Sequence, residues 1–103
     1  MATPRVNGQT YRKYEGEVVR IVGAVVDGNG SPKKIRTTDG QIVLIHPNGS
    51  SNGFTAEYVE VTGRVQADGA IVEVMSVPIT STIDNDAWNQ MVQLMEQHKE
   101  IFQ

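Results

Sequence analysis

The chain has 103 residues, which is enough for one compact domain and too few for two. It contains no cysteine, which excludes disulfide bridges and thiolate metal sites. Its N-terminal residues are polar and no apolar run approaches the ~20 residues of a membrane span, so we expect an intracellular soluble domain. A hydrophobic content of 39% is slightly low for an independent globule, which suggests burial against a partner.

The net charge of −3 is unevenly distributed along the chain. Residues 1–40 contain seven basic and four acidic side chains, a balance of +3, whereas residues 41–103 contain two basic and eight acidic side chains, a balance of −6. Affinity for nucleic-acid phosphates comes largely from lysine and arginine. We therefore expect this net-acidic chain to bind nucleic acid poorly on its own.

Residues 1–16 are predicted to form a polar N-terminal extension, with a short helical turn over residues 8–14 that places two tyrosines on one side. Residues 17–27 follow as a long β-rich run with Gly23 in its middle. A glycine at such a position permits a bend through which one strand serves two sheets.

An Asp39-Gly40 pair predicts a first β-hairpin with a two-residue turn. The turn pairs Thr37 with Ile42, which assigns alternate side chains to opposite faces of the two strands. The predicted inward side chains are Ile35, Thr37, Ile42 and Leu44, and the predicted outward ones are Lys34, Arg36, Val43 and Ile45.

An Asp68-Gly69 pair predicts a second hairpin of the same type. It pairs Val65 with Val72, and the next pair along the strands would join opposite charges across the sheet. That charged pair is Arg64 with Glu73, and the predicted inward side chains are Val59, Val61, Val72 and Val74.

Residues 46–55 between the hairpins are predicted to form a polar loop. Phe54 is either an anchor of this loop on the barrel or an exposed stacking group, and we favour the anchor. His46 and His98 lie in different elements with no third ligand nearby in sequence, so no metal site is predicted. The chain shows no Ser/His/Asp order and no paired-carboxylate motif. We therefore predict no catalytic residues and no cofactor, and we do not expect an enzyme.

The last element, residues 84–102, is predicted to be an amphipathic helix. Asp84 can cap its N-terminus, Asp86 favours the positive end of the helix dipole, and Ile83 can pack on Trp88. The apolar arc covers about 180°, against the ~100° that packing on one neighbour requires. Its residues are Trp88, Met91, Met95, His98 and Phe102, widened by Ala87, Val92, Leu94 and Ile101, and the opposite side carries Asn89, Gln90, Gln93, Glu96, Gln97 and Glu100.

This arc leaves two hypotheses open from the residues alone: packing on the chain's own barrel, or packing on the barrel and another chain. The five predicted strands, with glycines at the bends, favour a small OB-fold barrel. The predicted organisation is a single mostly β domain over residues 1–103, with the barrel at 17–78 and a C-terminal assembly helix at 84–102.

Four segments also resemble the small-subunit family of replication protein A. They are Pro4-Arg5-Val6-Asn7, the run from Val19 to Gly23, Thr38-Asp39-Gly40 and the run from Val59 to Val65. The resemblance implies a non-catalytic subunit of a eukaryotic heterotrimer that binds single-stranded DNA. Such a subunit would be nuclear and would act in DNA replication, repair and recombination.

The resemblance further implies that the terminal helix packs with one helix from each of the two larger subunits in a three-helix bundle. Single-stranded DNA would then be reached mainly through those partners. The family's bundle positions fall here on Trp88, Met91, Val92, Met95, His98 and Phe102, to which the breadth of the apolar arc adds Leu94 and Ile101 as partner-binding residues.

Two alternatives remain open at this point. In the first, the barrel itself binds single strands through Lys33, Lys34 and Arg36, although residues 33–45 contain no Phe, Tyr or Trp. Each missing base stack forgoes roughly 1–3 kcal/mol. The small OB-fold subunit of a telomere-capping complex shares the same architecture and is the second alternative.

Overall fold

Six strands, one short 3₁₀ helix and one α-helix follow each other along the chain in the computed structural model, which describes residues 3–29, 32–48, 54, 56–79 and 85–97. Within those residues, no helix has the length and apolar character needed to cross a membrane. The elements are β1 (Arg5–Val6), the 3₁₀ helix (Tyr11–Tyr14), β2 (Val18–Asp27), β3 (Lys33–Thr37), β4 (Ile42–His46), β5 (Tyr58–Val65), β6 (Ile71–Ile79) and α1 (Asn85–Gln97).

The strands close into a barrel because β2 pairs along both of its edges. Its first part pairs with β5 and its last part with β3, and the ring continues through β4 and β6 back to β5. Gly23 belongs to both pairings, and a Cβ atom there would lie 2.7 Å from the carbonyl oxygen of Arg36. The predicted OB-fold barrel, with its bend at Gly23 and a helix after it, is confirmed, but the sheet has six strands rather than five because β1 also pairs with β2.

The N-terminal segment is part of this barrel's core and edge. β1 pairs in parallel with β2, and the side chains of Tyr11 and Tyr14 are both buried among the core residues. The Tyr11 hydroxyl donates a 2.6 Å hydrogen bond to the carbonyl oxygen of Gly69. Phe54 is also buried in this core, which confirms its role as a loop anchor. The remaining core members are Val6, Val19, Ile21, Ile35, Val43, Ile45, Val59, Val61, Val65 and Ile71.

The predicted register of the first hairpin is wrong by one residue. Thr37 N donates to Gln41 O over 2.8 Å, so three residues rather than two form the connection. Gly40 has φ of +87°, whereas no described residue other than glycine has positive φ. A two-residue type I′ turn needs positive φ at both central positions, and Asp39 does not supply it.

The shift inverts the faces of β4, because neighbouring strand residues point to opposite sides. Val43 and Ile45 are buried with Ile35, and the predicted inward residues Ile42 and Leu44 are exposed instead. The observed pairs are Lys33 with Ile45, Lys34 with Leu44, Ile35 with Val43, and Arg36 with Ile42.

The second hairpin shows the same one-residue error. Gln66 N donates to Ala70 O over 2.8 Å, and Gly69 has φ of +87° in another three-residue connection. Val65 therefore pairs with Ile71 rather than Val72, and the predicted pair of Arg64 with Glu73 does not form. Val59 and Val61 face inward as predicted, Ile71 and Glu73 are buried, and Val72 and Val74 are exposed.

The corrected register of β4 predicts unequal costs for one substitution at two positions of this strand. Ile45→Ala should lower the free energy of unfolding by about 2–5 kcal/mol, because it leaves a cavity in the core. Ile42→Ala, the matched control on the outer face, should cost only about 0.5 kcal/mol. Urea unfolding of both variants measures the difference, and equal costs would contradict the observed register.

Candidate assembly interface

The helix α1 forms over Asn85–Gln97, within the span predicted for it. Asp86 lies in its first turn, as the dipole argument requires. The predicted cap at Asp84 and packing of Ile83, together with His98, Ile101 and Phe102, lie outside the described residues.

Asn89 makes three hydrogen bonds from the helix to the barrel and its N-terminal segment. Its Oδ1 accepts a 2.8 Å hydrogen bond from Asn7 Nδ2 and a 2.6 Å bond from the Thr38 hydroxyl. Its Nδ2 donates to the Thr38 carbonyl oxygen over 3.1 Å. One amide thus joins the helix both to the N-terminal segment and to the turn after β3.

Further contacts hold the helix on either side of Asn89. Trp88 Nε1 donates to the Val6 carbonyl oxygen over 3.1 Å, and the Tyr14 hydroxyl donates to Glu96 Oε1 over 2.5 Å. Lys13 Nζ lies 3.6 Å from Glu96 Oε2. Val92, one turn beyond Trp88, is fully buried. The helix therefore docks on its barrel through one apolar side chain and a set of polar ones.

A stripe of apolar residues runs along α1 from the side turned away from the barrel to the border with Trp88. At 3.6 residues per turn, Leu94 lies about 170° around the helix from the mean direction of the docking residues. Its side chain is 50% exposed. Met91 and Met95 are half-buried and Ala87 is exposed. We call the four residues Ala87, Met91, Leu94 and Met95 the free helix face.

The predicted partner-binding residues thus fall into three groups. Met91, Leu94 and Met95 lie on the free helix face, whereas Val92 is covered by its own chain. Trp88 is half-buried and bonded to β1, at the border between the two sides. Periodicity assigned Asn89 and Glu96 to the side opposite the apolar arc, but both contact the barrel. No local pattern in the sequence indicates these contacts.

The three basic residues considered for nucleic-acid binding are not equivalent. Lys33 Nζ donates to the Gly28 carbonyl oxygen over 2.6 Å and lies 5.4 Å from the centre of the Phe54 ring. It is therefore engaged within the chain. Lys34 and Arg36 are exposed on the outer face of β3, where they pair with Leu44 and Ile42.

The outer face of β3 and β4 therefore offers cations and aliphatic side chains but no Phe, Tyr or Trp ring. Single-strand binding on an OB-fold combines basic groups with aromatic rings on which bases stack. The imidazole of His46 is the ring that these two strands supply. His46 is exposed at the end of β4, and the described residues contain no group of three side chains suited to a metal ion.

The docking geometry predicts that removing one amide loosens the helix. Asn89→Ala should weaken helix docking by about 1–3 kcal/mol, because Asn7 and Thr38 lose their partner. Trp88 is the single tryptophan of the chain, so its fluorescence reports directly on the helix. We expect a red-shifted emission for Asn89→Ala and an unchanged one for Gln93→Ala, an exposed position on the same helix. An unshifted spectrum for Asn89→Ala would refute the role of this amide.

Known structures share this arrangement of a barrel followed by a terminal helix. The chain resembles replication protein A from U. maydis, solved bound to single-stranded DNA, with 28% identity, a TM-score of 0.89, and coverage of 97% of this chain and 94% of that one. A search of curated proteins gave no match.

Two telomere-capping structures share the fold. The capping protein Ten1 of Saccharomyces pombe has 16% identity and a TM-score of 0.71, with coverage of 93% of this chain and 99% of that one. A chain of the S. pombe Stn1-Ten1 complex has 16% identity and a TM-score of 0.70, with coverage of 94% of both chains.

The family comparison covers nearly the whole sequence. The model described as Replication factor A protein 3 matches residues 1–102, a span that includes both the barrel and the terminal helix. The chain therefore belongs to the Replication factor A protein 3 family.

Proposed function

We propose that the chain is a non-catalytic assembly subunit of a nuclear heterotrimer that binds single-stranded DNA. In this proposal α1 joins one helix from each of the two larger subunits in a three-helix bundle. The complex would act in DNA replication, repair and recombination, as the family resemblance implies. The observation that supports the assembly role is the free helix face, which is apolar and turned away from the chain's own barrel.

The chemistry of the free helix face suits a helical partner. Two methionines and a leucine at spacings of three and four form one stripe on an α-helix. Methionine is enriched in protein interfaces and adapts to irregular gaps. Because the barrel already covers the opposite side of α1, partner helices have access to this stripe without undocking the helix.

The barrel itself serves as a support in this proposal, and single-stranded DNA is bound mainly by the larger subunits. The outer face of β3 and β4 has no Phe, Tyr or Trp, and one of the three candidate cations, Lys33, is engaged within the chain. The related U. maydis structure contains single-stranded DNA, which supports the placement of this chain in a DNA-binding complex. The family match favours a replication complex over a telomere-capping one, to which only the fold is similar.

The assembly role predicts a specific loss on placing charge on the free helix face. Met91→Asp combined with Leu94→Asp should weaken association with the two larger subunits by more than about 2 kcal/mol, roughly 30-fold, because two carboxylates would be buried in the bundle. Co-expression of all three chains, followed by affinity purification and size-exclusion chromatography, measures the loss.

A matched control uses the same helix and the same added charge. Gln90→Asp combined with Gln93→Asp introduces two carboxylates at exposed positions between the docking side and the free helix face. This variant should assemble normally, and both variants should retain a folded barrel by circular dichroism. Normal assembly of the Met91→Asp, Leu94→Asp variant would count against the proposed function.

A further inference from the structure

Three arginines that are far apart in sequence lie on one outer face of the barrel. Arg5 on β1 and Arg20 on β2 are direct neighbours in a parallel pairing, and both are half-buried. Arg20 also pairs with Thr62 on β5, and Arg64 is the next outward residue along that strand. We call this group of Arg5, Arg20 and Arg64 the arginine face.

The arginine face has little compensating negative charge. In the part of the chain that the structure describes, none of the three arginines forms an ion pair. The ion pair found there joins Lys13 to Glu96, away from the arginine face. Arg64 donates from Nη1 to the carbonyl oxygen of Gly16 over 2.5 Å, which holds its side chain without neutralising it. Glu60 lies on the same face of β5, but it forms no ion pair with Arg5 or Arg20.

Arg5 and Arg20 occupy paired positions on neighbouring strands, and like charges directly opposite each other destabilise a sheet. Half-burial strengthens the effect by removing part of the screening water. The free chain thus keeps an unfavourable pair that a bound anion would relieve. A planar guanidinium presents paired donors that match a carboxylate in a bidentate geometry.

Exposed apolar side chains continue this face on β6. Val72 pairs with Arg64, and Met75 pairs with Thr62, so both lie beside the arginine face across the strands. Their side chains are 40% and 54% exposed. Arginine and methionine next to aliphatic residues are a composition typical of protein interfaces. A phosphate track would gain nothing from these apolar neighbours.

We propose that the arginine face binds a carboxylate-bearing segment of the partner polypeptide that packs on α1. This inference rests on the proposed function. Its support is continuity: Val6, the residue after Arg5, accepts the hydrogen bond from Trp88 of α1, so the arginine face begins beside the helix. The carboxylates pair with Arg5 and Arg20, and aliphatic side chains of the same segment cover Val72 and Met75. The electrostatic contact selects the correct partner and its orientation.

A nucleic-acid ligand fits the same face less well. Glu60 would repel a phosphate backbone that continued along β5. Among the described residues of β5 on this face, Tyr58 is the aromatic one. Its side chain is half-buried, and it lies four positions along the strand from Thr62. β5 therefore offers no ring beside Arg64 for base stacking, on which binding of single strands depends, and the half-buried indole of Trp88 is held by its hydrogen bond to Val6.

The test removes both charges and keeps the length of the side chains. Arg5→Gln combined with Arg20→Gln, in the full chain assembled with the two larger subunits, should lower the association constant at least about tenfold at low salt. The difference in association constant between this variant and the unmodified chain should become smaller at higher salt, because salt screens the contact. The melting temperature of the chain alone should stay equal or rise, because the repulsion between Arg5 and Arg20 is gone.

Lys34→Gln combined with Arg36→Gln is the matched control, since it removes two exposed cations from a different face and should leave assembly unchanged. The proposal is overturned if the Arg5→Gln, Arg20→Gln variant assembles with unchanged affinity at low salt. It is also overturned if that variant lowers the melting temperature of the chain alone, which would make the arginines structural.

Binding of a thymidine oligonucleotide to the complex assembled with the Arg5→Gln, Arg20→Gln variant tests whether the arginines contact nucleic acid instead. Weaker binding of the oligonucleotide with intact assembly would assign the arginines to phosphate contact and overturn the proposal. The Met91→Asp, Leu94→Asp variant separates the two hypotheses. If it prevents assembly while the arginine variant does not, only the arginine face is refuted, and if it assembles normally the proposed function itself fails.

Discussion

The hydrogen bonds of Asn89 fix the rotation of α1 about its own axis, and the proposed interface depends on that rotation. Apolar burial is non-directional, whereas an amide that must meet both Asn7 and Thr38 tolerates little turning. A rotation by one residue, about 100°, would break these bonds and bury a different side of the helix. The polar side is thus committed to the barrel, and the apolar side is the one that the proposed function assigns to other chains.

Two kinds of interaction act on the two sides of α1, polar contacts on the docking side and apolar burial on the free helix face. The docking side of α1 contributes one buried valine, so its stability comes from polar contacts that are each worth about 1 kcal/mol. The free helix face offers larger apolar side chains, whose burial in a partner interface releases more free energy. The helix is therefore oriented by its own barrel, and in the proposed complex its partners would stabilise it further.

The course of the strands, the bend at Gly23 and the terminal helix were predictable because each depends on residues close together in sequence. The two hairpin registers were not, because an Asp-Gly pair is compatible with both two-residue and three-residue connections. In the first hairpin, Asp39 accepts hydrogen bonds from the backbone of Gly8 and Gln9 and from the Thr37 hydroxyl. Two of these donors lie about thirty residues away, beyond any local pattern.

The candidate site was predictable to a similar extent. Periodicity showed that the apolar arc of α1 was too wide for one neighbour, and the structure leaves Leu94 exposed on it. Periodicity could not show that Asn89 and Glu96 contact the barrel, since their partners come from the N-terminal segment. The pairing of Arg5 with Arg20 was equally hidden, because it follows from the parallel register of β1 on β2.

The contacts of α1 with the N-terminal segment also bear on the order in which the molecule folds. Val6 with Trp88, Asn7 with Asn89, and Tyr14 with Glu96 each join residues 82 positions apart. The strands of the barrel end at Ile79, before α1 begins at Asn85, so the ring can close without the helix. We expect docking of α1 on the N-terminal segment to follow ring closure, because contacts between residues so distant in sequence carry a high loop-closure entropy.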